Sequence, residues 1–127
     1  LVSQSYRPKP PIEVTCSLNP STIKENERSK LIMTFNNLDL RTHEIKIVFD
    51  TSPRILIYGG SEYILQQNMY SFLLEAANPS EQRVFTLSGN LEAGTLSSQY
   101  PITFKVYVDG NELHKNWNDL VLTIQKS

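Results

Sequence analysis

The side chains that could carry acid–base chemistry in this chain do not form a catalytic pattern. A Ser-His-Asp site needs a base held beside a nucleophile and oriented by an acid. His43 falls in the apolar register of a predicted strand, so we expect it to be partly buried and hydrogen-bonded rather than a catalytic base. His114 follows a predicted hairpin, where we expect it to be exposed. Gly60-Ser61-Glu62 lacks the G-x-S-x-G pattern of a nucleophile elbow, and we predict no catalytic residues.

Metal and cofactor chemistry is not predicted either. The segment Asp109-Gly110-Asn111-Glu112 offers oxygen ligands, but it lacks the alternating acidic residues of a calcium-binding loop. The single cysteine, Cys16, excludes an internal disulfide and a cysteine-based zinc cluster. Its place in the inward register of a strand predicts that it packs as a small buried hydrophobe. We therefore predict no metal, no cofactor and no enzymatic activity.

The composition is that of one soluble globular domain. The chain has 127 residues, of which 39% are hydrophobic and 20% charged. This length supports one sizeable core and is too short for two ordinary domains. The formal net charge is -1, from 12 basic and 13 acidic residues, so the charge indicates no nucleic-acid partner. No apolar run approaches the length of a membrane span.

Hydrophobic and polar residues alternate along most of the chain, and this period of two predicts half-buried strands. The predicted strands cover residues 12–18, 31–36, 43–49, 54–58, 81–88, 102–109 and 120–125. Residues 62–77 are ambiguous, and we prefer two short strands or one bent strand, with a helical turn as the alternative. The polar segments 22–28 and 89–98 are predicted to be loops, the second with Gly94 as its pivot.

The turn signals complete the prediction of the fold. Asp109-Gly110 predicts a two-residue hairpin, because a type I′ turn needs positive φ at both central positions. The returning strand begins at Asn111, and a bulge near Trp117 would reconcile its two halves. About eight short strands with turns every ~8–12 residues predict an all-β fold, an Ig-like antiparallel β-sandwich.

The start of the chain differs from the rest. Residues 1–11 carry Pro8, Pro10 and Pro11 among polar side chains, which predicts an extended Pro-rich linker or tether. The sandwich domain is then expected to span residues 12–127. Because the chain begins with Leu1-Val2 rather than Met, we interpret it as a trimmed or processed product. Any N-terminal signal or anchor would have been removed from it.

Four apolar residues fall at positions that the strand register turns outward: Ile32, Val48, Tyr107 and Val121. The outward face of an antiparallel sandwich is usually polar. If these residues cluster on one sheet, they mark an interface with a second copy or another partner. Residues 54–58, next to Gly59-Gly60, are our candidate for an edge strand to which a partner strand could pair.

Two other interpretations of the chain remain open, and the first rests on its aromatic residues. Tyr58, Tyr63, Tyr70 and Trp117 could form the flat platform of a carbohydrate-binding module. A plain structural repeat of a larger surface protein is a third interpretation. The three differ in what they bind, so binding experiments can separate them.

Two stretches of the chain carry a resemblance to a known family. Met33-Thr34-Phe35-Asn36-Asn37 is a strand that runs into an Asn-rich turn. Residues 91–95 and 100–110 contain a loop, a Tyr-x-Ile pattern, a strand and the Asp109-Gly110 hairpin. This layout resembles the Ig-like sandwich domains of archaeal and bacterial cell-surface proteins, and within them the soluble domains of the archaellum (archaeal flagellum) stator proteins.

The resemblance implies a function that the composition alone does not indicate. It implies an extracytoplasmic domain, between the membrane and the surface layer (S-layer), that binds the S-layer protein and anchors the archaellum motor. Archaellum components are the other implied partners, and the outward apolar residues add the expectation of a homodimer. Residues 1–11 would then be the remnant of a linker from an N-terminal membrane helix. Contact with the membrane is expected only through that absent anchor.

Overall fold

All regular structure in the described part of the chain is β-strand. The computed structural model describes residues 12–60, 62–64, 69–76, 80–114 and 120–127. Their strands are β1 (Ile12–Asn19), β2 (Thr22–Lys24), β3 (Ser29–Asn37), β4 (His43–Phe49), β5 (Ile55–Gly59), β6 (Glu62–Ile64), β7 (Met69–Leu74), β8 (Ser80–Gly89), β9 (Ser97–Pro101), β10 (Phe104–Val108), β11 (Asn111–Glu112) and β12 (Val121–Gln125). The expected linker at 1–11 and the bulge near Trp117 lie outside the described residues.

The strands form two opposed layers, which confirms the predicted all-β, Ig-like sandwich. One layer is a five-stranded sheet in the order β1-β3-β8-β5-β6. A four-stranded sheet, β11-β10-β4-β7, and a three-stranded sheet, β2-β12-β9, face it. The chain passes from the three-stranded to the four-stranded sheet between β9 and β10. There Ile102 N donates to Leu120 O at 2.8 Å and Asp50 N donates to Thr103 O at 2.9 Å.

Aromatic rings join the two layers. Phe49 of the four-stranded sheet meets Phe85 of the five-stranded sheet edge to face, with ring centroids 5.1 Å apart. Phe35 and Phe72 make a second such contact across the layers, also at 5.1 Å. The inward residues of β3, β4, β8, β10 and β12 alternate strictly with outward ones, as the period of two predicted. This alternation holds the core together because each strand contributes one apolar face.

Two short strands lie where the sequence predicted loops. β2 falls within 22–28, pairs in parallel with β12, and buries Ile23. β9 begins at the end of the predicted loop 89–98, with Ser97 and Ser98, continues to Pro101, and pairs antiparallel with β12. Both were missed because three to five mostly polar residues give no hydrophobic period. The described chain therefore has more strands than the eight or so that were predicted.

The ambiguous segment 62–77 contains two short strands, β6 and β7, as preferred from the sequence. The prediction that residues 54–58 form an edge strand is wrong. β5 lies between β8 and β6, paired on both sides. The reason is that β6, which covers that edge, is only three residues long and was not distinguished as a separate strand by its pattern.

The Asp109-Gly110 hairpin is confirmed. Asp109 has φ 51° and Gly110 has φ 85°, and Val108 pairs with Asn111 across them. Positive φ at both positions is what a type I′ turn requires. The turn lies at the end of the sheet where the Asp109 carboxylate meets His43.

Candidate functional site

A buried histidine is held between two carboxylates at one end of the sandwich. His43, at the start of β4, is 3% exposed, in agreement with the sequence prediction. Its Nδ1 lies 2.5 Å from Oδ2 of Asp109, in the β10–β11 turn. Its Nε2 lies 2.9 Å from Oδ2 of Asp39, in the loop between β3 and β4. Two carboxylates can both be satisfied only if both ring nitrogens donate, so this geometry favours the imidazolium form.

The hydrogen bonds shift the titration of all three groups. The pKa of His43 is raised above its usual value, first by the bond to Asp109 and then by the bond to Asp39, while burial opposes the shift. The bond to His43 lowers the pKa of Asp109, and the Glu44 N–H that donates to its Oδ1 at 2.9 Å adds to this. The Leu40 N–H and then His43 lower the pKa of Asp39. The charged cluster thus links the β3–β4 loop, through Asp39, to the β10–β11 turn, through Asp109.

This cluster is not suited to act as a catalytic base. Neither nitrogen of His43 is available to take a proton from a substrate, since both are bonded to carboxylates. A surface cavity of about 400 Å³ opens beside it, lined among others by Arg41, Leu113 and His114. His114 is 85% exposed, as expected, and pairs with Glu112 at 2.9 Å. In the described ranges, no group of three or more His, Cys, Asp and Glu side chains is placed to hold a metal ion.

The outward side of the four-stranded sheet carries apolar residues. Val48 of β4 lies directly opposite Met69 of β7, which is 62% exposed. Leu73, on the same side of β7, is 59% exposed. Tyr107 of β10 lies opposite Lys46 and therefore diagonal to Val48. We call these four residues, Val48, Met69, Leu73 and Tyr107, the β7 face.

The charged side chains that lie among the residues of the β7 face pair with one another. Lys46 Nζ lies 3.4 Å from Glu44 Oε1, and Lys105 Nζ lies 4.0 Å from Glu112 Oε1. Exposed pairs of this kind contribute little to stability. Lys46 pairs with Tyr107 on one side and Ser71 on the other, and Glu44 pairs with Leu73, so these charges lie among the apolar side chains and neutralise one another there. Apolar side chains interspersed with paired charges are compatible with the mixed surface of a non-obligate protein interface.

The structure brings together two of the four predicted interface residues. Val48 and Tyr107 share the β7 face, whereas Ile32 lies on the outward side of the five-stranded sheet, opposite Val84. Val121 lies on the three-stranded sheet. All four are partly exposed, so the outward register was right, but they do not form one surface. Which outward residues share a surface depends on the order of the strands in each sheet, and the register of single strands does not reveal that order.

Sequence reasoning missed the most exposed members of this face, Met69 and Leu73. They belong to the segment whose strand or helix character was ambiguous, so no outward register could be assigned to them. The signal was nevertheless present, because Met69, Ser71 and Leu73 alternate with Tyr70, Phe72 and Leu74. Two more exposed leucines, Leu38 at 59% and Leu40 at 93%, lie in the β3–β4 loop that the histidine cluster holds.

The predicted aromatic platform is not formed by Tyr70. Its ring points between the sheets and packs against Phe85 at a centroid distance of 5.2 Å. Tyr58 is half-buried and lines a second cavity, of about 290 Å³, together with Arg28, Gly60 and Thr86. Trp117 and the side chain of Tyr63 lie outside the described part of the chain. Cys16 is half-buried against the core rather than fully buried, because β1 lies at the end of its sheet.

Comparisons with known proteins extend only to the fold. No family model matches the sequence, and no curated protein matches it. Among the described residues no helix is long and apolar enough to cross a membrane. Similarity appears at the level of solved structures, where the sandwich itself is matched.

The solved structures that are similar to this chain include two that differ in length. The alkylpurine DNA glycosylase AlkC of Pseudomonas fluorescens, bound to DNA with an abasic-site analogue, matches 91% of the chain with 13% identity and a TM-score of 0.51. The chain spans 30% of that protein's length. The ASH/PapD-like domain 7 of human CEP192 matches the whole chain and 96% of its own length, with 15% identity and a TM-score of 0.51. At these identities the likeness shows the fold alone, a PapD-like, Ig-like β-sandwich.

Proposed function

We propose that this chain is a non-enzymatic protein-binding domain that docks on its partner through the β7 face. The observation that carries the proposal is the pair of strongly exposed apolar side chains, Met69 and Leu73, on the same sheet surface as Val48 and Tyr107. Exposed apolar side chains gathered on one side of a sheet are a feature of interaction surfaces. The fold neighbour with matching length is itself a PapD-like domain, which is compatible with this role.

The partner we propose is a folded protein surface rather than a nucleic acid. The net charge of the chain is -1, and the basic side chains Lys46 and Lys105 on this sheet are paired with acidic ones. Binding would therefore come from burial of apolar area and only weakly from charge. Its salt dependence should be small, in contrast to the steep dependence of phosphate-backbone binding.

The narrower proposal comes from the sequence resemblance. The partner is the S-layer protein, and the domain anchors the archaellum motor outside the membrane, together with archaellum components. Residues 33–37, 91–95 and 100–110 support this proposal through their pattern. The location between membrane and S-layer, and the membrane anchor upstream of the chain, belong to the same proposal.

Co-sedimentation of the purified domain with isolated S-layer sheets, at low and high salt, tests both the docking through the β7 face and the choice of the S-layer protein as partner. We expect saturable binding that changes little with salt. Val48→Lys should weaken it by at least about tenfold, because a charge would replace an apolar side chain of the contact and stand opposite Lys105. Gln82→Lys adds the same charge to an exposed position of the opposite sheet and is the matched control.

Each outcome bears on a different part of the proposal. Equal binding by Val48→Lys and wild type would refute the β7 face as the docking surface. Absence of binding to S-layer sheets would refute the anchoring role. A glycan panel read by tryptophan fluorescence would then test the carbohydrate-binding alternative, for which the cavity beside Tyr58 is the remaining candidate site.

A further inference from the structure

We propose that β7 is an open sheet edge through which two copies of this chain pair, strand against strand. β7 is the last strand of its sheet and pairs with β4 alone among the described residues. Its sequence, Met-Tyr-Ser-Phe-Leu-Leu, contains no charge, no proline and no glycine. Such an edge is a template for another strand. The pairing is separate from the partner-binding role proposed above and does not rest on it.

Among the described strands, alternate residues of β7 have no partner for their backbone groups. On β4, Glu44 O accepts from Asp109 N and Asp50 N donates to Thr103 O, so even-numbered residues bond towards β10. Odd-numbered residues of β4 therefore bond towards β7, where Ile45 faces Phe72 and Ile47 faces Tyr70. The N–H and C=O groups of the intervening residues, Met69, Ser71 and Leu73, point away from the sheet.

Other edges of the molecule are less suited to pairing. β2 and β6 have three residues each and β11 has two. β1 carries the charged Glu13, and β9 ends in Pro101, which cannot donate a backbone hydrogen bond. Short strands, charges and prolines are the devices by which proteins protect edges. β7 combines six residues with none of these devices, so it is the edge at which we place the second copy.

A two-fold axis at Ser71 makes this edge self-complementary. In an antiparallel pair centred there, Ser71 faces Ser71 of the second copy and Met69 faces its Leu73. These are the residues whose backbone groups are open, and each facing pair of this kind exchanges two N–H···O bonds. Side chains on one side of the sheet also match, since small faces small and apolar faces apolar.

The inward side of the same register matches equally well. Tyr70 of one copy faces Phe72 of the other, and both rings are only half-buried in the single chain. Each already packs on its own core, Tyr70 against Phe85 at 5.2 Å and Phe72 against Phe35 at 5.1 Å. The second copy would cover their remaining exposed surface and join two four-stranded sheets into one.

Substitutions that introduce a positive or a negative charge at position 71 test the proposed register directly. Light scattering of the wild-type chain is expected to give the mass of a dimer at micromolar concentration. Ser71→Lys and Ser71→Glu should each weaken self-association by up to about fivefold, because like charges would stand directly opposite each other. An equimolar mixture of the two variants should form a mixed dimer. Only an apposition of residue 71 with itself explains that rescue.

Controls keep the test independent of folding and of the partner-binding role. Gln82→Lys should remain dimeric, and far-UV circular dichroism should be unchanged in every variant because both positions are exposed. In the dimer, the amides of Met69, Ser71 and Leu73 should exchange with deuterium more slowly than in Ser71→Lys. A monomeric wild type, an unaffected Ser71→Lys dimer or a failed rescue overturns the pairing. Loss of S-layer binding in Val48→Lys with the dimer intact would leave it standing.

Discussion

Asp109→Asn isolates one interaction of the histidine cluster. Asp109 uses its two oxygens for different partners: Oδ1 accepts from Glu44 N at 2.9 Å, and Oδ2 faces His43 Nδ1 at 2.5 Å. Asparagine keeps the first acceptor and tolerates the positive φ of this turn position. It replaces the second by an NH₂ group, which cannot face a donating Nδ1. The substitution therefore removes the contact with the imidazolium and little else.

The magnitude follows from the burial of the two partners. A hydrogen bond to a charged group contributes about 1.5–3 kcal/mol. The His43 ring is 3% exposed, whereas the Asp109 side chain is 49% exposed, so solvent screens the pair. We expect Asp109→Asn to lower the free energy of unfolding by about 1.5–2 kcal/mol near pH 5.5. For a domain of this size that is a fall in Tm of roughly 5–8 °C.

The cost should depend on pH with a definite sign. The raised pKa of His43 contributes stability that is complete below its usual value of 6.5 and is lost as the pH rises through the folded-state pKa. The lowered pKa of Asp109 contributes stability that is complete above its usual value of 3.8 and is lost as the pH falls through the folded-state pKa. The network is therefore complete between these values and weakens on the alkaline side.

When His43 is neutral, asparagine at position 109 becomes a better hydrogen-bond partner for it than aspartate. At alkaline pH one ring nitrogen becomes an acceptor and would face a carboxylate in the wild type. In Asp109→Asn, the introduced side-chain amide can donate to Nδ1 while Nε2–H donates to Asp39, so every group is satisfied. The difference in unfolding free energy should shrink towards zero near pH 9. Urea unfolding at the two pH values measures it, and an equal or larger loss at alkaline pH would refute a charged His43.

Two predictions concern the packing of the sandwich, and both are read by urea unfolding. Gly89→Ala should cost about 1–3 kcal/mol, because the added Cβ would lie 2.5 Å from Ile124 Cδ1; a loss below about 0.5 kcal/mol would mean that the isoleucine gives way. Phe85→Ala should cost about 3–5 kcal/mol, because the ring is buried and packs on Phe49 at 5.1 Å. Val84→Ala, outward and 39% exposed, is its control and should cost far less.

Local patterns were sufficient for much of the fold. The period of two placed the long strands and turned Val48 and Tyr107 outward, because alternate side chains of a strand must point to opposite faces. Asp109-Gly110 predicted its own turn, since that turn depends on two residues only. The apolar register of His43 predicted its burial, although it did not name its partners.

Contacts between segments that are far apart in the chain could not be predicted from the sequence. Asp39 and Asp109 meet on His43 although the second carboxylate is 66 residues from the ring, and nothing in either segment signals the other. Among the described strands, β5 has a partner on each side and β7 on one side only, which decides which of them is the edge. The sequence by itself determined strands, register and one turn, because these depend on neighbours in the chain. Only the tertiary structure decided sheet order, and with it which outward residues share a surface and which backbone groups stay open.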